Sequence, residues 1–199
     1  MKNKILTMMF GLFIIAAFSG CGTSPPTKFI TLNATPPRSR VRPYAGPPVV
    51  VGRVKLPPTL DRLSLVRRLK RNRLSINSLV WWAAPLDRLV RHTLAVDLAD
   101  RLPAGAVIIP GEVKPHGPAR SLAVVFEQFR VGPTGRVKLV AIWTLVDKGS
   151  GRVLGAHRTL VTAPAASIAG GDIARAISAA LAKLSGAMAA KISAAKIHK

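Results

Sequence analysis

The side chains able to do chemistry in this sequence are few: one thiol, Cys21, four histidines and eight carboxylates. A single thiol excludes an internal disulfide and a cysteine-based zinc cluster, and leaves covalent modification of the sulfur as its chemistry. His92, His116, His157 and His198 are scattered with no metal-ligand spacing. The carboxylates are Asp61, Asp87, Asp97, Asp100, Glu112, Glu127, Asp147 and Asp172. Asp87, Asp97 and Asp100 share a stretch with Arg88, Arg91 and Arg101, which reads as a solvated, ion-paired helix face. No serine stands in a nucleophile-elbow sequence, and no glycine-rich loop carries the Lys and Ser/Thr that hold a nucleotide phosphate. Gly170-Gly171 could cradle an anion at a helix start, or simply give that helix a flexible beginning. This inventory points away from an enzyme and asks for no cofactor or metal.

Cationic chemistry is abundant instead. Thirty Lys and Arg stand against eight acids, a formal charge of +22. Such a field favours anionic surfaces such as phosphate headgroups, nucleic acid or acidic glycans. Eleven basic residues fall between Arg38 and Arg73, with Asp61 the one acid, and Arg67, Arg68, Lys70, Arg71 and Arg73 are nearly contiguous. Trp81 and Trp82 nearby could stack on bases if the chain stayed in the cytosol.

The N-terminus argues for export. Lys2 and Lys4 precede an apolar run from Ile5 to Phe18, too short for a comfortable bilayer crossing of about 20 residues and suited to a secretory signal. Ser19, Gly20 and Cys21 follow, which resembles the bacterial lipobox, with Phe18 where the usual residue is Leu. That resemblance implies diacylglycerol on the Cys21 thiol, cleavage before it and acylation of the new amine. Residue 22 is Gly rather than the Asp that resembles an inner-membrane retention signal, so the periplasmic face of the outer membrane is the expected location. Outside the cytosol, nucleic acid drops out as a partner. The five clustered cations, Arg67, Arg68, Lys70, Arg71 and Arg73, then face either anionic lipid headgroups, at about 1 kcal/mol per residue near the surface, or an acidic partner protein.

The rest of the chain must supply a scaffold. At 49% hydrophobic and 19% charged it is globular in composition. A signal segment is expected over 1–20, then a lipidated cysteine, short strand and Pro-rich connector over 21–48. One domain is expected over 49–199, with its start extending back to near residue 28. Lys28 to Leu32 alternates like an edge strand, Val49 to Val54 reads as a buried strand, and Arg73 to Asn77 as a short one. From Pro85, residues Leu86, Leu89, Val90, Leu94, Leu98 and Leu102 recur on one helical face. Val107 to Ile109 comes next. Ser121 to Val131, Arg136 to Val146 and Arg152 to Thr162, joined by glycine-containing turns, predict an antiparallel meander, with Val137 to Val146 at the centre of the sheet and covered on both sides at least in part. Ile173, Ile177, Leu181, Leu184, Met188 and Ile192 predict a second helix over about 172–192. The expected fold class is α+β: an antiparallel or mixed sheet, a C-terminal three-strand meander, and two amphipathic helices packed on it.

Several short segments carry a family resemblance in order and spacing. Phe29-Ile30-Thr31-Leu32 follows the lipobox, and Val51 to Arg62 reads VGRVKLPPTLDR, with Val66 and Arg67 beyond it. Trp82-Ala83-Ala84-Pro85-Leu86 opens the first helix. Phe126, Phe129, Gly135, Val137, Leu139 and Trp143 mark the hairpin, and Leu184-Ser185 the last helix. Together these resemble the PqiC-like auxiliary lipoproteins of MCE-type lipid transport, the ABC-type transport auxiliary lipoprotein family, over essentially the whole mature chain. Trp81 and Ala84 replace that family's Arg and Glu, so a polar contact made there by relatives is not carried over.

The resemblance implies an outer-membrane lipoprotein that works with an ABC permease, its ATPase and an MCE protein spanning the periplasm, docking the far end of that conduit. It also implies self-association into a ring. Leu56, Pro57, Asp61, Arg62, Trp82 and Pro85 are the candidate partner-docking residues; the alternative is a Pro-terminated strand and a helix start that merely pack. A competing class is a structural envelope lipoprotein that binds peptidoglycan or another outer-membrane assembly, as pilotins do. The anchor itself is directly testable: cells fed labelled palmitate should label the wild-type chain and leave Cys21→Ser unlabelled, whereas label on the variant would place the lipid elsewhere.

Overall fold

The computed structural model describes residues 25–37, 42–111 and 117–195. Cys21, and with it the expected lipidation site, lies outside these residues, as do Glu112, His116 and His198. The described elements are β1 (Lys28–Ile30), β2 (Val49–Lys55), β3 (Ser64–Arg68), β4 (Leu74–Trp82), α1 (Leu86–Ala99), β5 (Val107–Ile108), β6 (Arg120–Val131), β7 (Val137–Asp147), β8 (Val153–Ala163) and α2 (Gly170–Ala194). The class is α+β, as the periodicities require.

The strands form two sheets. The larger has the order β5-β2-β6-β7-β8, and the smaller β1-β4-β3. In the larger, β6, β7 and β8 make the antiparallel meander, and β2 runs parallel to both β5 and β6. The turns between its strands are glycine-dependent: Gly135 and Gly151 hold φ of +80° and +72°, a region closed to most side chains. At the second turn the Asp147 carboxylate accepts hydrogen bonds from the Ser150 N–H and hydroxyl, which hold its pKa below the ordinary value. The central strand is β6, with β7 beside it; β7 buries Val140 on its outer face but leaves Ile142 exposed there. β6 alternates strictly until a register shift between Phe126 and Gln128. That bulge lets Phe126 and Phe129, three residues apart, face the same side, where their rings meet edge to face at 5.2 Å.

Both helices cover that inner face. α1 lies over β2 and β5, α2 over β7 and β8, and the helices pack on each other. Leu94 and Leu98 of α1 and Ile177, Leu181, Leu184 and Met188 of α2 are buried in one continuous core. Each fully buried aliphatic side chain stabilises the fold by about 1.5–3 kcal/mol. α2 is long and apolar enough to span a bilayer, yet 67% of its apolar window is buried inside the domain. Its alanines are explained by this close packing. At the α2 start, a Cβ on Gly170 would come within 2.6 Å of Val80 Cγ1, so this glycine serves close approach to the small sheet.

The small sheet departs from expectation. Arg73 to Asn77 is only the start of β4, which runs on through Trp81 and Trp82, and its partner β3 has no sequence counterpart in the expected elements. Arg71 and Asn72, with φ of 55° and 57°, make the two-residue turn between them. β1 is an edge strand, and it pairs parallel to β4.

A second correction concerns Asp97, which is 0% exposed instead of lying on a solvated ion-paired face. Its Oδ1 accepts from the Thr35 N–H at 2.9 Å and from Arg101 Nη1 at 3.3 Å, while Oδ2 has no partner. Arg101 also donates to the Thr35 carbonyl at 3.1 Å, and Ser178 Oγ accepts from the Asn33 N–H at 3.2 Å. The segment after β1 is thereby fastened across both helices. Burial is the largest influence on Asp97 and pushes its pKa up to about 6, against the opposing pull of Thr35 and Arg101. A carboxyl whose folded pKa exceeds its unfolded one favours the fold when protonated, so its contribution declines as pH rises from about 4 through 6. Wild type should therefore lose stability relative to Asp97→Asn across that interval, by no more than about 3 kcal/mol. Thermal unfolding of both chains from pH 4 to 7.5 checks this; a constant difference would mean that Asp97 does not titrate there.

Candidate functional site

Two proline-punctuated segments meet at one end of the molecule. β2 ends at Lys55, and Leu56-Pro57 leads into a 3-10 turn over Pro58–Leu60. Prolines suit this position: they lack the N–H that a continuing strand would need. The turn closes through Leu60 N–H to the Pro57 carbonyl at 2.9 Å and Asp61 N–H to the Pro58 carbonyl at 3.1 Å. Leu63 then offers its carbonyl to the Trp82 N–H at 2.7 Å, and Ala83 N–H donates to the Ile30 carbonyl at 2.8 Å. These two bonds set the end of β4 against both neighbours just before Pro85, which caps α1.

Between the turn and the start of α1 lies a groove of about 460 Å³, with Leu56, Leu60, Leu63 and Leu86 among its apolar lining. Lys55, Asp61, Arg62 and Asp87 stand at the same groove, with Asp87 in the first turn of α1, where a negative charge complements the helix dipole. Such a mixed-charge rim over an apolar floor can hold a polypeptide segment. Its lining holds no Ser, Thr, Cys or His. Among the described residues no group of three His, Cys, Asp or Glu side chains comes together as a metal site. His92 is exposed on α1, and His157 packs against Trp143 at a ring separation of 4.4 Å.

Leu56, Pro57, Asp61, Arg62 and Pro85 thus converge on one groove. Trp82 is placed differently: at 2% exposure it belongs to the core beneath. Its neighbour Trp81 faces outward at 37% exposure and meets the Phe29 ring at 6.4 Å. Strand alternation separates the two, a signal hidden because Trp81-Trp82 reads as a helix start when the register of β4 is unknown.

The five clustered cations occupy the opposite end of the β3–β4 hairpin. Arg67 reaches the Pro133 carbonyl at 3.5 Å, Arg68 the Asn72 side chain at 3.3 Å, and Lys70, Arg71 and Arg73 are exposed around the turn. Beside them the β6–β7 turn adds Arg130, Arg136 and Lys138, which sequence reading did not connect to the cluster. Arg130 and Lys138 are direct register partners across β6 and β7. Their spacing across the Gly132–Gly135 turn was the available sign.

Comparison with known proteins places the fold and the family. One solved structure, of an uncharacterised protein, aligns over 84% of this chain and 99% of its own with a TM-score of 0.66 at 18% identity. Another, a protein from Xanthomonas campestris, aligns over 85% of this chain and 95% of its own with a TM-score of 0.64 at 16% identity. At these identities the likeness is one of fold. No curated protein matches the chain. The family model for the ABC-type transport auxiliary lipoprotein component matches residues 31–189, from the end of β1 through most of α2. The chain therefore belongs to the ABC-type transport auxiliary lipoprotein family.

Proposed function

We propose that this lipoprotein is the accessory subunit of an MCE-type intermembrane lipid transporter, held through acylated Cys21 on the periplasmic face of the outer membrane. The groove between the Pro58–Leu60 turn and α1 receives the MCE component. The observation that carries this reading is the convergence of Leu56, Asp61, Arg62 and Pro85 on one groove, from segments about 25 residues apart in the chain. Gly22 after the lipobox cysteine supports the outer-membrane destination. The family's role as an auxiliary transport component supports a binding rather than a catalytic task. Self-association belongs to the same reading: Val125, Ile142 and Leu160, on three adjacent strands, are exposed by 43%, 38% and 52% on the face that no helix covers.

The test is capture of the MCE component from detergent-solubilised membranes by the lipoprotein carrying Leu60→Glu or Asp61→Ala. Leu60 is half-buried in the groove and Asp61 exposed at it. A central contact of this kind is worth about 2 kcal/mol, so Leu60→Glu should weaken capture roughly thirtyfold, and Asp61→Ala less, with thermal stability kept. Undiminished capture by both variants would mean that the two segments merely pack, and capture of peptidoglycan instead would favour a structural envelope role.

A further inference from the structure

The hairpin cations form a bounded cleft as well as a surface run. The β3–β4 turn and the β6–β7 turn face each other across about 340 Å³, lined by Arg68, Lys70, Arg130, Arg136 and Lys138, with Leu69 and Pro133 as apolar walls. No carboxylate lines it. Arg130 and Lys138 are directly opposed on neighbouring strands, where like charges repel. No ion pair within the cleft offsets this cost. An anion from outside would offset it, by lying between charges that otherwise repel.

The topology says which anion. β4 leaves the Arg71-Asn72 turn at Leu74, and β1 runs parallel to it with Lys28 opposite Val80, so an extended continuation ahead of Lys28 points back along β4 toward that turn. Lys28 stands seven positions after Cys21, a reach of at most about 25 Å. Next to the turn Leu74 and Ile76 are exposed, an apolar flank suited to the headgroup region of a bilayer. We infer that this pole is a membrane-docking surface whose basic cleft takes the phosphate of anionic phospholipid headgroups. The interaction orients the tethered domain and stands apart from the docking groove, which lies at the other end of β3.

The test is amide hydrogen exchange of the acylated chain in nanodiscs of phosphatidylcholine alone or with phosphatidylglycerol. With the anionic lipid, the amides of 69–73 and 134–136 should exchange about tenfold more slowly or better, since each docked cation near such a surface is worth about fivefold in binding. The protection should vanish in 0.5 M salt and in Arg68→Gln/Arg130→Gln/Lys138→Gln, whose exposed substitutions leave the core untouched; the salt arm decides alone if that variant misfolds. Equal protection on both lipids, protection that survives salt, or equal protection of the detergent-solubilised chain by millimolar inorganic phosphate would overturn the inference. Partner capture by the Leu60→Glu chain reads the groove separately.

Discussion

The hydrogen-bonded ladder of β4 is the constraint on which the rest of the molecule depends. This nine-residue strand holds β3 on one side and the very short β1 on the other. At one end it emerges from the basic turn; at the other it delivers Pro85 to the start of α1 and the groove. Because β1 is parallel to it, the direction in which the chain runs through β1 is fixed by backbone pairing. Three residues of β1 could not enforce this alone. The fastening of 33–35 to Ser178, Asp97 and Arg101 supplies the rest. The segment after β1 thus enters a buried polar network that spans both helices, and the raised pKa of Asp97 is the electrostatic consequence of burying it.

Charge is distributed to match that polarity. The core layer is chiefly apolar: the inner face of the large sheet and both helices meet mainly through aliphatic and aromatic side chains, with Asp97 and Arg120 as buried charges at its margins. Of the ion pairs among the described residues, Arg101–Asp97 lies in the fastening network, while Arg158–Glu127 and Arg175–Asp172 are surface pairs of small energetic weight. None involves the hairpin turns. The excess cations are therefore concentrated where the fold leaves them uncompensated, while the groove at the other end mixes both signs. The proposed arrangement, with an anchor at one pole and a receptor surface at the other, needs this separation, since a single-sign field at the groove would draw the membrane as readily as a partner.

Much of this was legible because the signals were periodic and local. Leu86 to Leu102 and Ile173 to Ile192 announce their helices by spacing, and the turns at 132–135 and 149–151 announce the meander by their glycines. The two segments of the groove were legible only through resemblance. The small sheet was hidden: its turn is Arg71-Asn72, with no glycine to mark φ above zero, and cations break the apolar alternation of β3. Asp97 was misread because i to i+4 pairing with Arg101 is the usual mark of a solvated face. The pair does form here, yet the connector between β1 and β2 covers it, which no local pattern reports. Trp82 was misplaced for a related reason, since its burial depends on the register of a strand that the sequence did not reveal.

The polarity of the molecule can be read in one experiment. A photo-crosslinking side chain is placed at Leu60 in the groove or at Asn72 in the basic turn, and the acylated lipoprotein is irradiated in native membranes. The account predicts a protein adduct from position 60 and a phospholipid adduct from position 72. Lipid adducts from position 60 together with protein adducts from position 72 would contradict it, because the anchor pole and the receptor pole would then be reversed.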